Sequence, residues 1–485
     1  MNDSHFVSHD QLPMLPPRST VRHGTAEPYV ILLLTISVLS LLSDLPLVAE
    51  WRGLKIKSID LFSDLRDSAP GPIPTEFLLT EADALLAQAA LPPPAPSEMG
   101  PFLPLGRTDL PDIKNDQIVD MSATNTALMR FQAALKNSDR ALARIAYFGD
   151  SAIEGDLVTE DLRAFLQARF GGSGLGLLPI IASAWRKTVS IGHSEGWQTY
   201  SLIARSPEVP LGVAGLTFVP DSDSGTSVWS SFHTRSTQGD TMHPILARLF
   251  YGSVRGRASV NVRLNGVTKP KGDLIADGAA HALAMGTEQP FSDLTLTFRG
   301  VPSIYGLSLD STIGVQVDNF GFRSQAGFGL MHLSTALMNQ LNTELHYDLI
   351  VLQYGLNVSN PTMKNFDWYQ KRMVETIVHM QRCFPTADVL LIGVGDNSVH
   401  DQGRIVSNPA LPALIQAQAL AARETGIAFW NLQEAMGGPG SMVQWVKNGW
   451  ARKDYKHFRG DGAKRVAELL MEALMHHIDA HAANP

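Results

Sequence analysis

Ser151 stands in the segment FGDSAIEGD, directly after the apolar run Arg144–Phe148 (RIAYF) and ahead of an amphipathic stretch from about Leu157 to Phe170 that stops at Gly171. A serine hydroxyl at a strand-to-helix turn is held at the carboxyl edge of a sheet. There, main-chain N–H groups and the positive end of the helix face any oxyanion formed when the hydroxyl attacks an ester. Read alone, Gly-Asp-Ser is equally a turn that caps a helix. A serine needs a base to take its proton and an acid to orient that base. Asp454 and His457 in KDYKHFRGDG supply both, three residues apart, in a loop just before the last helical pattern. That spacing lets the carboxylate meet Nδ1 while Nε2 turns to the serine. An isolated Asp-x-x-His pair is more often a solvated loop, so its conjunction with Ser151 is what points to chemistry. A third group sits in QYGLN, where Gly355 permits a sharp turn and Asn357 presents an amide donor at the same edge. Such a donor serves an oxyanion or satisfies a loop carbonyl.

These residues need a sheet whose strands all end on one side. Helical periodicity over Asn125–Ala143, the strand RIAYF and the helix after Ser151 open such a pattern. It resumes after residue 345 with strand DLIVLQY (348–354), a helix through Trp368–Gln381, strand DVLLIGV (388–394), helix LPALIQAQALAARE (411–424), strand IAFWNL (427–432) and a terminal helix from Ala463. Continuous apolar strands alternating with amphipathic helices predict an α/β domain with a parallel sheet covered on both faces. Between its halves, about 185–315, the pattern becomes short alternating strands (QTYSLIAR, GVAGLTFV, TSVWSSFHT, ILARLFYG, ASVNVRLNG, DLTLTFRG) punctuated by Gly, Asp, Asn, Pro and Ser. This reads as an antiparallel β-sandwich inserted into the α/β domain. Its Trp197, Trp229, Phe232 and Tyr251 are candidates to stack on sugar rings, although aromatic residues in a sandwich more often fill the core.

At 485 residues the chain exceeds a single small core, and 44% hydrophobic content with 18% charged residues is that of a globular protein. The net charge of −8 and the lack of any basic block argue against a nucleic-acid partner. Cys383 is the single cysteine, which rules out an internal disulfide and a cysteine-based zinc site. His476, His477 and His481 offer a metal pair at helical spacing without an evident third ligand, so no metal or cofactor is expected. The 22 residues from Pro28 to Ala49 carry one charge, Asp44, and as a helix would reach roughly 33 Å. A long preceding segment and the lack of a small-x-small cleavage pattern favour an uncleaved anchor over a signal peptide or a buried helix. Arg18 and Arg22 precede it and Arg52, Lys55 and Lys57 follow, so charge does not decide its orientation. The expected organisation is a tail (1–27), an anchor (28–49), a juxtamembrane segment with a proline-rich spacer (50–111), the first α/β part (112–184), the insertion (185–315) and the second α/β part (316–485).

In the joint occurrence of Gly149-Asp150-Ser151, Gly355-Leu356-Asn357 and Asp454 to His457, in this order, the chain resembles the SGNH, or GDSL-type, hydrolases. The resemblance implies a flavodoxin-like three-layer α/β/α domain with Ser151 as nucleophile, His457 as general base, Asp454 as its orienting acid and Asn357 as an oxyanion donor. The family's remaining block contributes a glycine N–H to the oxyanion hole, and the matching region here is VDNFGFRSQAGFG. Aligning Gly321 with the first small residue puts Ser324 at the donor position, whereas Gly327 requires a shifted register. Over about residues 140–475 the split layout is similar to that of peptidoglycan O-acetylesterases and related polysaccharide O-acetyltransferases, in which a carbohydrate-binding-like domain interrupts the SGNH domain. It implies an acetylated cell-envelope or secreted polysaccharide as substrate. By the same implication the catalytic body lies in the periplasm, held by a single pass through the inner membrane beside polysaccharide-synthesis or acetylation machinery. Asp396 and Asn397 end a strand on the same edge, where they would line the cleft. The alternative is a non-catalytic polysaccharide-binding accessory protein with a degenerate SGNH domain.

Overall fold

The apolar runs that flank the three motifs pair into one six-stranded sheet. In chain order its strands are β1 (Ile118–Asp120), β2 (Leu142–Gly149), β3 (Gly314–Gly321), β4 (Tyr347–Gln353), β5 (Asp388–Ile392) and β6 (Ala428–Trp430), and across the sheet they run β1-β6-β5-β4-β2-β3. All neighbours are parallel except β1, which lies antiparallel to β6 at the edge. Counted from β2, the parallel strands stand in the doubly wound order 2-1-3-4-5, which reverses direction between β2 and β4. Connections leave such a switch point on opposite faces of the sheet and open a crevice at the carboxyl ends. Ser151 follows β2 and the Gly355–Asn357 turn follows β4, so both motifs flank that crevice. The computed structural model describes residues 110–182, 186–204, 207–221, 227–235, 243–269, 272–286 and 289–482. The tail, the expected anchor at 28–49 and the proline-rich spacer lie outside the described residues. Among the described residues no helix is long and apolar enough to cross a membrane.

Alternation along β2 shows why this sheet is buried on both sides: Ile145 and Tyr147 join one apolar cluster, Ala146 and Phe148 another. Helices α1 (Met129–Lys136) and α2 (Thr159–Phe170) pack on the first face, α3 (Thr335–Leu345), α4 (Asp367–Cys383) and α5 (Leu411–Thr425) on the second, and the terminal α6 (Gly460–Ala482) returns to the first. The helix expected over Asn125–Ala143 is much shorter. It ends at Lys136, because Leu142 and Ala143 are drawn into β2 opposite Gly314 and Val315. Pairing in the sheet prevails there over helical periodicity.

Between α2 and β3 the chain forms a ten-stranded antiparallel sheet. It begins at Gly174–Leu178, directly after α2 and ahead of the expected boundary at 185. Its spine is two long strands, Leu246–Leu264 and Asp293–Asp310, paired with each other, where short separate strands were expected. The glycines that look like breaks are bends. Gly300 has φ +83°, and a Cβ there would meet the Arg257 carbonyl at 2.3 Å. Register shifts at Arg299/Val301 and Pro302/Ile304 accommodate a proline inside a strand and fold the sheet over a core containing Leu249, Val260, Leu296 and Leu307. One half packs on the α/β domain, where Leu177, Phe250 and Tyr305 share a cluster with Phe148, Phe320 and Tyr354.

The junction also holds a buried charge cluster. Arg144 on β2, with no exposed side-chain surface, contacts Asp318 on β3 at 2.8 Å and Asp310, the last residue of the insertion's second long strand, at 2.5 Å. Tyr347 on β4 donates its hydroxyl to Asp318 at 2.5 Å, and the Leu177 N–H donates to the same carboxylate at 3.0 Å. Burial opposes a charged guanidinium here, but the two aspartates outweigh it and raise the Arg144 pKa.

Candidate active site

Ser151 is presented by a strained turn that β3 and α2 hold in place. Gly149 closes β2, where a Cβ would come within 2.9 Å of the Ile153 side chain and 3.0 Å of the Gln353 carbonyl. Past the serine, Gly155, Asp156 and Val158 all have positive φ (73°, 75° and 66°), a conformation that a β-branched valine resists. Partners on three sides offset that strain. Asn319 of β3 donates to the Ile153 carbonyl at 2.7 Å and to Thr159 Oγ1 at 2.8 Å, and buried Asp156 pairs with Arg163 of α2 at 2.8 Å. Burial would raise the Asp156 pKa, but Arg163 and Arg186 reverse this and lower it to about 2. Gly321 at the end of β3 touches the same turn, since a Cβ there would lie 3.0 Å from the Glu154 backbone.

The acid and base arrive from the loop ahead of α6. His457 Nε2 lies 3.0 Å from Ser151 Oγ, and His457 Nδ1 lies 2.8 Å from Asp454 Oδ2. The other carboxylate oxygen of Asp454 accepts the N–H groups of Lys456 and His457, each at 3.0 Å. Burial pushes the Asp454 pKa up, but the His457 ring and these N–H donors prevail and hold it below the ordinary carboxylate value. Between the two, Tyr455 takes the left-handed conformation (φ 57°), and its carbonyl accepts the Ser398 N–H at 3.0 Å. Ser398 opens a hairpin (Ser398–Asp401 with Arg404–Ser407) for which the sequence analysis made no assignment. Its signal was there: alternating Val399, Ile405 and their polar neighbours around the turn Gln402-Gly403.

Asn357 donates from Nδ2 to the Gln325 carbonyl at 2.9 Å. An amide nitrogen has two N–H groups, so this bond fixes its orientation and leaves a second donor. Because Gln325 follows Ser324, the bond ties the exposed Ser324 turn (φ 59°) to Asn357. Gly327 has a packing role: with φ +97°, a Cβ there would meet the Tyr354 ring at 3.0 Å. Arg323 adds a clamp from the Ser324 side, bonding Glu154 in the serine turn at 2.8 and 2.7 Å.

The sequence reading named Asp150 only as part of a motif. The structure buries its side chain, with Oδ1 accepting the Ala152 N–H at 2.9 Å. Burial pushes its pKa up to about 6, against the Ala152 N–H, His457, Lys456 and the Leu356 N–H. Asp150 thus links the serine turn to the Leu356–Asn357 turn, and it lines a small cavity with Ala152, Leu356, Asp396, Lys456 and Phe458. Asp396 acts as an anchor, accepting from Ser407 (2.6 Å), Gln433 (2.9 Å) and the Met442 N–H (2.8 Å). Asn397 is likewise buried, and its Oδ1 accepts from Asn408 at 2.9 Å. Of the aromatic candidates in the insertion, Phe232 and Tyr251 are buried and Trp197 packs edge-on against Phe298, whereas Trp229 is 40% exposed. His476 and His477 lie on α6, and no cluster of three metal-ligating side chains occurs among the described residues.

The doubly wound parallel sheet is consistent with an SGNH-like fold, and the Ser, Asn and Asp-x-x-His motifs stand at its carboxyl edge. A solved structure of a peptidoglycan O-acetylesterase superposes with a TM-score of 0.60 at 24% identity, covering 75% of this chain and 99% of that one. A family two carbohydrate esterase from Cellvibrio japonicus and a salicylyl-acyltransferase from a tetracycline biosynthetic pathway overlap far less. Each has a TM-score of 0.25 and 10% identity over 60% of this chain, with 98% and 97% of the other chain covered. No protein-family model and no curated protein matches the chain.

Proposed function

We propose that the chain is a serine esterase that removes or transfers O-acetyl groups on a polysaccharide. The observation that carries this reading is the continuous relay from Ser151 Oγ to His457 Nε2 (3.0 Å) and from His457 Nδ1 to Asp454 (2.8 Å) at the switch point of the sheet. Ser151 Oγ attacks the acetyl carbonyl carbon while its proton passes to His457 Nε2, and Asp454 stabilises the imidazolium. The oxyanion is met by the second N–H of Asn357 and by main-chain N–H groups of the Ser151 and Ser324 turns. Collapse expels the sugar oxygen, which takes the proton from His457 and leaves acetyl-Ser151. Water, or the hydroxyl of a second sugar, then attacks the acyl-enzyme with His457 again as base, releasing acetate or an acetylated acceptor.

The likeness to a peptidoglycan O-acetylesterase supports an envelope polysaccharide as the polymer. With the apolar segment at 28–49 as a single-pass anchor, this reading places the body in the periplasm, beside the machinery that makes or acetylates that polymer. The test is acetate release by the full-length chain from an aryl acetate and from acetylated polysaccharides, beside Ser151→Ala and His457→Ala. Turnover in the parent that is lost in both variants is expected. A parent inactive on every ester, with and without a sugar acceptor, would leave the accessory-protein alternative in its place.

A further inference from the structure

The turn that carries Asn357 runs from Tyr354 to Ser359, and much of its shape is imposed from outside. Within it, the Val358 N–H donates to the Gly355 carbonyl at 3.1 Å and the Ser359 hydroxyl to the Leu356 carbonyl at 2.9 Å. At its start Gly355 has φ +122°, and a Cβ there would meet the Val394 side chain at 2.9 Å and Gln418 Nε2 at 3.0 Å. Gln418, buried on α5, donates Nε2 to the Tyr354 carbonyl at 2.8 Å and accepts the Val394 N–H on Oε1 at 2.9 Å. At the other end Asn408, just ahead of α5, donates Nδ2 to the Ser359 carbonyl at 2.6 Å. Two buried amide side chains, one on α5 and one at its entrance, therefore hold the turn at both ends.

Asn408 also reaches the other side of the catalytic edge. Its Nδ2 donates to Asn397 Oδ1 at 2.9 Å, and its main-chain N–H donates to the Asn397 carbonyl at 2.8 Å. Both N–H groups of the side-chain amide are thus engaged, one toward each neighbour. Asn397 is followed by Ser398, whose N–H donates to the Tyr455 carbonyl at 3.0 Å inside the loop of Asp454 and His457. A continuous path of hydrogen bonds and chain therefore runs from the Asn357 turn through Asn408 to the loop that supplies the base. The bond from Asn357 to Gln325 fixes the plane of the Asn357 amide, whereas Asn408 fixes the backbone that carries it.

The same residue helps to start α5: its Oδ1 accepts the Ala410 N–H at 3.0 Å, and its carbonyl accepts the Leu411 N–H at 3.1 Å. Those bonds use Asn408 only as an acceptor. The bonds to Ser359 and Asn397 use its side chain as a donor, so chemistry separates the two roles. A serine at this position keeps an acceptor for the helix start and is too short to reach the Ser359 carbonyl.

We propose that Asn408 is a positioning residue for the ester chemistry, acting through Ser359. It sets the depth at which the second N–H of Asn357 meets the oxyanion and keeps that turn in register with the loop of His457. An oxyanion donor acts only within about 2.7–3.1 Å of where the charge develops, and a displacement of about 1 Å can cost about 10²-fold in rate. The effect on rate rests on the esterase reading; the clamp on the turn does not.

The experiment compares full-length parent, Asn408→Ser, Asn357→Ala and the double variant, by kcat and KM on an aryl acetate and by amide hydrogen exchange over residues 354–360. Asn357→Ala should lower kcat by about 10²-fold. Asn408→Ser should lower it by about tenfold with KM unchanged, and exchange over the turn should quicken by about tenfold. In the double variant kcat should fall no more than about twofold below Asn357→Ala, because Asn408 acts through the donor already removed. Losses that multiply would make Asn408 a structural residue only and overturn the proposal, as would an unchanged kcat or a change confined to KM. Should Asn408→Ser fail to fold, Ser359→Ala removes only the hydroxyl bond to the Leu356 carbonyl. It should lower kcat by about threefold, again with no further loss beside Asn357→Ala, and an unchanged kcat there overturns the proposal. A parent that turns over no ester defeats the esterase reading and the effect on rate together. Exchange then decides the clamp alone: quickened exchange in Asn408→Ser upholds it, and unchanged exchange overturns it.

Discussion

At the carboxyl edge of the parallel sheet, Asp454, Asn357 and Asp156 each have fixed partners, and Asp150 is buried against the serine turn. On the outer face of the insertion, Asn261, Arg263 and Thr297 have none among the described residues. The contrast is between side chains whose orientation is fixed by neighbouring groups and side chains left to water. It also separates the consequences of mutation: on the esterase reading, changes at the edge should act on turnover, whereas changes on the outer face should leave turnover of a small ester unchanged.

The sharpest way to break this division is at the relay. Ser151→Ala or His457→Ala should lower acetate release by about 10⁴-fold or more, and combining them should cost little beyond either alone, because the residues act as a unit. Asp454→Asn should act in the same direction. Rate measurements on an aryl acetate check this, and turnover at the parent level in any of these variants would break the division.

Next in size is the cluster that joins them. Asp318→Ala would leave Arg144 buried beside Asp310 alone and should destabilise the protein by about 3–5 kcal/mol. Because Asp310 belongs to the insertion and Asp318 to the parallel sheet, denaturant unfolding followed by fluorescence from both parts should shift as one transition. Two separated transitions would show that the cluster does not couple them.

A pH experiment follows. Burial raises the Asp150 pKa to about 6 in the folded protein, above the ordinary carboxylate value, so the native state binds the proton more tightly than the unfolded chain. The buried carboxylate therefore lowers stability above pH 6, and this cost is relieved as pH falls from about 6 to about 4, by roughly 3 kcal/mol at most. Asp454 works oppositely: its stabilising contribution is present above the ordinary carboxylate pKa and is lost as pH falls through its depressed value. In Asp150→Asn the gain between pH 6 and 4 should vanish from equilibrium unfolding. An unchanged profile would mean that Asp150 is not the titrating group.

How much of this the sequence disclosed follows from the range of the interactions involved. Ser151, Asn357 and the Asp454–His457 pair each sit within a few residues of a strand or helix signal, so local pattern places them. The sheet order was legible in kind, since alternating apolar runs and helices admit few topologies. The long strands of the insertion were not, because Gly256 and Gly300 break a local pattern yet serve as bends once the partner strand is present. Asp150 was hidden for a similar reason: the Leu356 N–H and the Lys456 charge that face it lie some two and three hundred positions along the chain.

The smallest effect expected bears on the oxyanion side of the site. Arg323 bonds Glu154 across the gap between the Ser324 turn and the serine turn, but its side chain is 70% exposed, and a pair that open to solvent contributes at most about 1 kcal/mol to stability. Arg323→Ala should therefore leave the unfolding midpoint almost unmoved. Any loss should appear in kcat, a few-fold at most, with KM for an aryl acetate unchanged, because the Ser324 turn would be less firmly held where charge develops during attack. A change in KM alone would assign Arg323 to substrate contact. No change in either would leave the bond from Asn357 to Gln325 sufficient to hold that turn.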